Sequence, residues 1–315
     1  MRSRHDWSIA ALAVALALAL PVHAGVYWVT VAGLGGEEDY EQRFTAEAAE
    51  TDKLLKASGA QWHVQTLSGA AATRAHLTQV LADVARAATA EDQFVLLLIG
   101  HGSYDGVSYK FNLPGRDISA AELAALCNAV PAREQLIVDT TSSSGGAVAA
   151  LQRSGRAVIA ATKSGTEKNA TVFSRYWLEA LQDPGADVDK SDSISALEAF
   201  EYATRKTAEF YSSEKRLATE HAVFEDVGKG PAVRAPAPGS GEGQLLASLI
   251  LVRFGDAQSE ALDPAKHDLL LRKEQLQRQI DELKYRKAAL AEEQYQSQLK
   301  TLLLELARTQ AALDH

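Results

Sequence analysis

Three short stretches of this chain carry chemically capable side chains directly after an apolar run. Leu96-Leu97-Leu98-Ile99 leads into Gly100-His101-Gly102, Leu136-Ile137-Val138 leads into Asp139-Thr140-Thr141-Ser142-Ser143-Ser144-Gly145-Gly146, and the run over 157–162 leads into 163–169. An imidazole takes up and releases a proton near neutral pH, which makes His101 a candidate acid/base. The plainer alternative is a hydrogen-bonded structural histidine at a strand end. A hydroxyl, such as those of Thr141 and Ser142, is so weak an acid that it attacks a carbonyl only with a well-aligned base in contact. The turn over 142–146 lacks the Gly-x-x-x-x-Gly-Lys spacing of a phosphate loop. His63, His76, His221 and His267 show no metal-ligand spacing with one another or with acidic partners, so no metal and no cofactor is expected. The single cysteine, Cys127, lies in an apolar helical run and reads as a small buried hydrophobe without a disulfide partner.

The elements that must hold these positions alternate between β-like apolar runs and helical periodicities. Strands are predicted over 26–31, 62–67, 94–99, 136–138 and 157–162, and helices over 41–58, 73–88 and 120 to about 130, the last capped by Ser119. In the second helix Leu77, Val80, Leu81 and Val84 share one face. The wholly apolar run over 94–99 suits a central parallel strand covered on both sides. Short turns between alternating elements favour parallel pairing, because parallel neighbours need a crossover, and that crossover is normally a helix. In such sheets chemistry gathers beyond the carboxyl ends of the strands, where all three stretches lie.

Further along, 193 to about 217 reads as a long helix, 231–243 as a flexible Pro/Gly/Ser-rich loop, and 249–254 as a last strand. From 263 to the end the chain is charged and helical. Leu269, Leu276, Leu283 and Leu290 recur every seven residues with Ile280 on the adjoining seam, whereas Leu299, Leu303, Leu306 and Leu313 continue out of phase. The break near 291–293 implies a stutter or a turn into an antiparallel hairpin. Packing on its own domain and self-association or partner binding through 263–315 both remain open.

The first residues, Arg2 and Arg4 followed by an Ala/Leu/Val run over 9–20 and Val22-His23-Ala24, read as a secretory signal peptide over 1–24. A periplasmic or secreted protein starting at Gly25 is expected, with no stable membrane span after cleavage. A formal charge of −9 argues against nucleic-acid binding. The expected organisation is one α/β domain over 25–256, a doubly wound and mainly parallel sheet with helices on both faces, followed by a helical extension over 263–315.

The His-Gly block and the small-residue turn together resemble the caspase-like cysteine peptidases, and among them most closely the bacterial legumain-like group. In that superfamily an apolar strand precedes His-Gly, and a second precedes a step such as Asp-x-Cys-x-Ser-Gly. Aligned without a gap from Asp139, Thr141 falls at the cysteine; matching Ser144-Gly145 to the family's Ser-Gly puts Ser142 there instead. The segments Tyr109-Lys110-Phe111-Asn112-Leu113-Pro114-Gly115, Asn169-Ala170-Thr171-Val172-Phe173 and Ala218-Thr219-Glu220-His221 extend the resemblance over roughly 25–255. Glu225-Asp226-Val227-Gly228-Lys229-Gly230 resembles an acidic turn with its carboxylates thinned out, a poor calcium site.

The resemblance implies roles: His101 as acid/base, the Gly102 N–H as an oxyanion donor, and Thr141 or Ser142 as surrogate nucleophile. Lys163 and Glu167 would line the former specificity pocket or form a solvated loop. A thiol supplies some thiolate at neutral pH and a hydroxyl does not. The expectation is therefore a non-catalytic, exported member that binds peptide or protein, the alternative being a hydrolase that uses Ser142 or Thr141 with His101.

Overall fold

The computed structural model describes residues 25–58, 62–237, 239–263 and 265–315. The expected signal peptide over 1–24 lies outside them. In chain order the strands are β1 (Val26–Ala32), β2 (Trp62–Leu67), β3 (Gln93–Ile99), β4 (Gly102–Tyr104), β5 (Tyr109–Phe111), β6 (Ile118–Ser119), β7 (Glu134–Asp139), β8 (Arg156–Ala160), β9 (Ser193–Ser195), β10 (Val223–Glu225) and β11 (Ile250–Arg253). The helices are α1 (Glu38–Lys56), α2 (Arg74–Ala87), α3 (Ala120–Ala129), α4 (Val148–Leu151), α5 (Phe173–Gln182), α6 (Ala196–Ser213), α7 (Gln244–Ser248), α8 (Gly255–Leu262), α9 (His267–Tyr285) and α10 (Glu292–Leu313).

Six strands form the main sheet in the order β10-β8-β7-β3-β1-β2. All neighbours are parallel except β10, which runs antiparallel to β8. From β1 the chain moves outward to β2, then returns to β3 on the other side of β1. The gap between the carboxyl ends of β1 and β3 is thus a topological switch point. The Gly33 N–H donates to the Ile99 carbonyl there, at 2.8 Å, immediately before His101.

Alternation along each strand divides the core. Trp28, Val95, Leu97, Leu136, Val138 and Ile159 face Phe44 and Ala48 of α1, Phe173 and Trp177 of α5 and Phe200 of α6. Val29, Val31, Leu96, Leu98, Ile137 and Val158 face Leu77 and Leu81 of α2, Leu123 and Cys127 of α3 and Leu151 of α4. The central strands β3, β7 and β8 are apolar at successive positions because both of their faces are covered by helices, whereas the edge strand β2 alternates. Cys127 is a member of this core, and burial pushes its thiol up to about 11.

The helix expected from 193 begins later. Ser193–Ser195 forms β9, paired antiparallel with β11, and α6 starts at Ala196. Ser195 and Glu198 make a capping box, each side chain holding the other residue's backbone N–H, and this sets the boundary. The helix stops at Ser213, and Lys215 takes a left-handed φ of 52° just beyond it. The last strand forms as expected, but pairs with β9 rather than widening the main sheet.

The terminal helices settle the out-of-phase leucines as a hairpin: α9 and α10 pack on each other, with Arg272 of α9 ion-paired to Glu305 of α10 at 2.6 Å. Leu276, Ile280 and Leu283 of the heptad seam are buried within the chain. The guanidinium of Arg253 on β11 makes a two-point contact with Glu274 on α9, at 2.6 and 2.9 Å. That geometry ties the hairpin to the α/β unit. Among the described residues no helix is long and apolar enough to cross a membrane.

Candidate active site

β3 delivers His101 and β7 delivers the hydroxyl turn to the same end of the sheet. Gly102 meets the turn at close range: a Cβ on it would lie 2.4 Å from the Ser142 carbonyl and 2.7 Å from Thr141 Oγ1. Only glycine permits that approach. Gly102 N–H donates to Ser142 Oγ at 3.1 Å, and Ser142 Oγ donates back to the Gly102 carbonyl at 3.0 Å. The amide implied as an oxyanion donor is therefore already bonded, and so is one of the two implied nucleophiles.

Thr141 is bonded elsewhere. Its Oγ1 donates to Asp139 Oδ1 at 2.7 Å and receives the Tyr109 hydroxyl at 2.7 Å, while its N–H donates to the same Asp139 oxygen at 3.1 Å. Asp139 is fully buried, and burial raises its carboxyl to about 6 against the pull of the Thr141 and Tyr109 hydrogen bonds. Burial first, then the charge of Asp139, pushes the Tyr109 phenol well above its ordinary range. Ser143 is left-handed at φ 59°, with its N–H on the Glu167 carbonyl at 2.8 Å. The hydroxyls of Ser144 and Thr162 contact each other at 3.2 Å, and Gly145 N–H donates to Thr162 Oγ1 at 2.9 Å. From Asp139 to Ser144 no residue is more than 3% exposed.

His101 turns the other way, toward α1. Its ring meets Tyr40 and Phe44 edge-on, with centroid separations of 4.8 and 5.2 Å. Burial and the nearby Arg43 guanidinium lower its pKa, outweighing a hydrogen bond to the Gly35 backbone and the charge of Glu37. Arg43 itself lies over both aromatic rings, at 5.1 and 5.0 Å, and donates to the Thr171 carbonyl at 3.1 Å. Among the described residues, no hydrogen bond joins the imidazole to the hydroxyl of Thr141 or Ser142. The imidazole is therefore not placed as the base for either hydroxyl, and the carboxylate in contact with Thr141 Oγ1 is that of the buried Asp139.

The other segments singled out in the sequence have structural duties. Glu167 bonds His221 Nδ1 at 2.5 Å and the Lys163 N–H at 2.9 Å, clamping the loop after β8. Glu220 receives the N–H groups of Val172 and Phe173 at 2.8 and 3.2 Å, which caps the start of α5. Glu225 receives three successive N–H groups from 227–229, and Asp226 receives those of Gly243, Leu245 and Leu246. These carboxylates hold loops together.

A different group of acidic side chains converges in the loop between α5 and α6. One carboxylate oxygen from each of Asp187, Asp189 and Glu198 lies within 4.8 Å of the others. Partial burial, then the charges of Glu198 and Asp187, raise the Asp189 carboxyl against the Ser191 hydrogen bonds. Sequence reading passed over this group because it searched histidines and the 225–230 turn. The signal that finds it is the spacing of oxygen-bearing residues from 187 to 198.

No family model and no curated protein matches this chain. Solved structures similar to it include protein GSU0716 from Geobacter sulfurreducens, at 14% identity over 66% of this chain and 95% of that one, with a TM-score of 0.45. The Drosophila initiator caspase Dronc is 12% identical over 67% of this chain and 82% of its own, with a TM-score of 0.42. Caspase-1 from Spodoptera frugiperda is 11% identical over 65% and 87%, with a TM-score of 0.45.

Proposed function

We propose that this chain is an exported caspase-like protein, of the legumain-like kind, that has given up peptide hydrolysis and acts by binding a peptide or protein partner. The Leu96–Gly102 block and the 136–145 block support the superfamily reading, together with their meeting at one end of a mainly parallel sheet. The reciprocal bond between Gly102 and Ser142 carries the loss of chemistry. It occupies the oxyanion-type amide and a candidate nucleophile at once, inside a turn closed to solvent. An acyl-transfer site needs that amide free, because it must stabilise charge that develops only in the transition state.

The test is to offer the purified protein a mixed peptide library and a fluorophosphonate probe. No cleavage and no labelling are expected. Labelling that disappears both in His101→Ala and in a change at Ser142 or Thr141 would establish the hydrolase alternative. Self-association through 263–315 is open to sedimentation of the intact chain beside a Leu303→Glu, Leu304→Glu variant. These two leucines are 49% and 50% exposed on α10. An association that the double change abolishes assigns the partner surface to the hairpin.

A further inference from the structure

We infer that residues 187–198, the loop that joins α5 to α6, form a calcium site. Two observations made independently of one another support this. The first belongs to the sequence: in Asp187-Val188-Asp189-Lys190-Ser191-Asp192-Ser193-Ile194-Ser195-Ala196-Leu197-Glu198, oxygen-bearing side chains stand at positions one, three, five, six, seven, nine and twelve, and one, three, five, nine and twelve among them are the side-chain ligand positions of a calcium loop. That is the ligand order of the twelve-residue helix–loop–helix calcium loop, in which position seven contributes its backbone carbonyl and position twelve a glutamate able to bind through both oxygens. Positions one to nine alternate as a strand would, and Ser193–Ser195 is one; the glutamate at position twelve departs from that period.

The second observation belongs to space. Asp187, Asp189 and Glu198 are brought from both ends of the twelve residues to within 4.8 Å of one another. Among the described residues no lysine, arginine or histidine forms an ion pair with any of the three; Lys190, inside the loop, donates to the backbone carbonyl of Asp187. Arg278 and Lys284 line the same cavity without an ion pair to any of the three, and carboxylates that converge unpaired repel each other, a repulsion that a divalent cation would relieve. The donors are all hard oxygens, which suits calcium or magnesium and not a softer transition metal. Between these two, a loop with six candidate oxygen positions fits the larger ion, which takes six to eight ligands.

The individual positions agree with these roles. Asp187, at position one, is 5% exposed and receives the N–H groups of Ser191 and Asp192 at 3.0 and 3.1 Å, which fixes its carboxylate at the inner edge of the loop. Position six, where a calcium loop turns sharply and glycine is usual, is Asp192 at φ 63°, a left-handed conformation that aspartate tolerates. Ile194, at position eight, is buried and bridges to β11. Glu198 sits in the first turn of α6, with one oxygen on the Val188 N–H at 2.8 Å and the other on Ser195. The loop also forms one wall of a cavity of about 280 Å³ whose other wall includes Arg278, Asp281 and Tyr285 of α9. An ion there would stiffen the surface on which the terminal hairpin lies.

The experiment uses the intact protein stripped with a chelator and titrated with CaCl2 by calorimetry, alongside thermal unfolding with and without the ion. One calcium per chain and a higher unfolding temperature at about 1 mM calcium are expected, in the range used by extracellular calcium modules. Glu198→Gln should weaken binding by about tenfold or more. Because Glu198 also serves the capping box, Asp189→Asn is the second variant; its side chain is exposed and lies outside that box, and it should weaken binding without lowering the unfolding temperature of the ion-free protein. Asp83→Asn, on the exposed face of α2, should leave binding unchanged. The inference is overturned by the absence of heat and of any thermal shift at that concentration, by binding that both loop variants leave intact, or by an equal response to magnesium.

Discussion

The turn over 139–146 and the loop over 187–198 both draw their polar groups largely from Asp and Ser, and end in opposite conditions. In the turn most hydroxyls and amides are matched to partners, Ser143 Oγ and Asp139 Oδ2 being the exceptions, and the one acid, Asp139, is held near 6 and so takes up a proton more readily than a free carboxyl. In the loop, hydrogen bonds to backbone amides leave three acids facing each other, with no ion pair to a basic side chain among the described residues. A polar cluster whose donors and acceptors balance is a structural joint; one with an unbalanced charge is poised for a ligand. Resemblance drew attention to the first region, and electrostatics points to the second.

The largest expected effect on the turn comes from Gly102→Ala. Its Cβ would collide with the Ser142 carbonyl and the Tyr109 ring, costing about 3 kcal/mol in urea unfolding. Stability unchanged by that substitution would show that the two loops are not locked together. Next is the pH response of Asp139. Its carboxyl is higher in the folded protein, at about 6, than in the unfolded chain, so the native state binds the extra proton. Its contribution is present below about pH 4 and is lost as pH rises through 6, by up to about 3 kcal/mol. Asp139→Asn, which keeps the shape without the charge, should flatten that part of the stability–pH curve. His101 acts in the opposite sense: its lowered pKa favours the fold above about 6.5 and withdraws that support as pH falls.

Ser142→Ala should cost about 1–2 kcal/mol, because it leaves the Gly102 N–H without its acceptor, and should leave calcium binding untouched. His101→Ala should cost least, about 1 kcal/mol from the edge contacts with Tyr40 and Phe44, read as a small drop in unfolding temperature. A large loss of stability in His101→Ala with none in Ser142→Ala would reverse the ranking and with it the view that the turn, not the histidine, is the joint.

Much of the framework is legible in the chain itself. Four of the five parallel strands, β1, β3, β7 and β8, announce themselves because both faces are largely buried, which demands near-continuous apolar residues such as Leu96, Leu97 and Leu98, while β2 at the sheet edge is found by its alternation. The short strands β4, β5, β6 and β10 carry no comparable run, and their pairing depends on neighbours already in place. The calcium-type spacing is present in the sequence too, but a helix predicted from 193 absorbs the second half of those twelve residues. The capping box at Ser195 and Glu198 places the helix start at 196 and frees the first part to be a loop and a strand.

By itself the sequence determined where polar groups follow apolar strands, because the period and length of an apolar run are local properties, and it determined the order of oxygen-bearing residues from 187 to 198 for the same reason. Which groups neutralise one another was decided only in three dimensions. The bond between Gly102 and Ser142 spans 40 positions, and no local pattern records it. The terminal leucines likewise allowed a stutter or a hairpin, and the choice fell to α9, which could bury Leu276, Ile280 and Leu283 only once α10 and the α/β unit were packed around it.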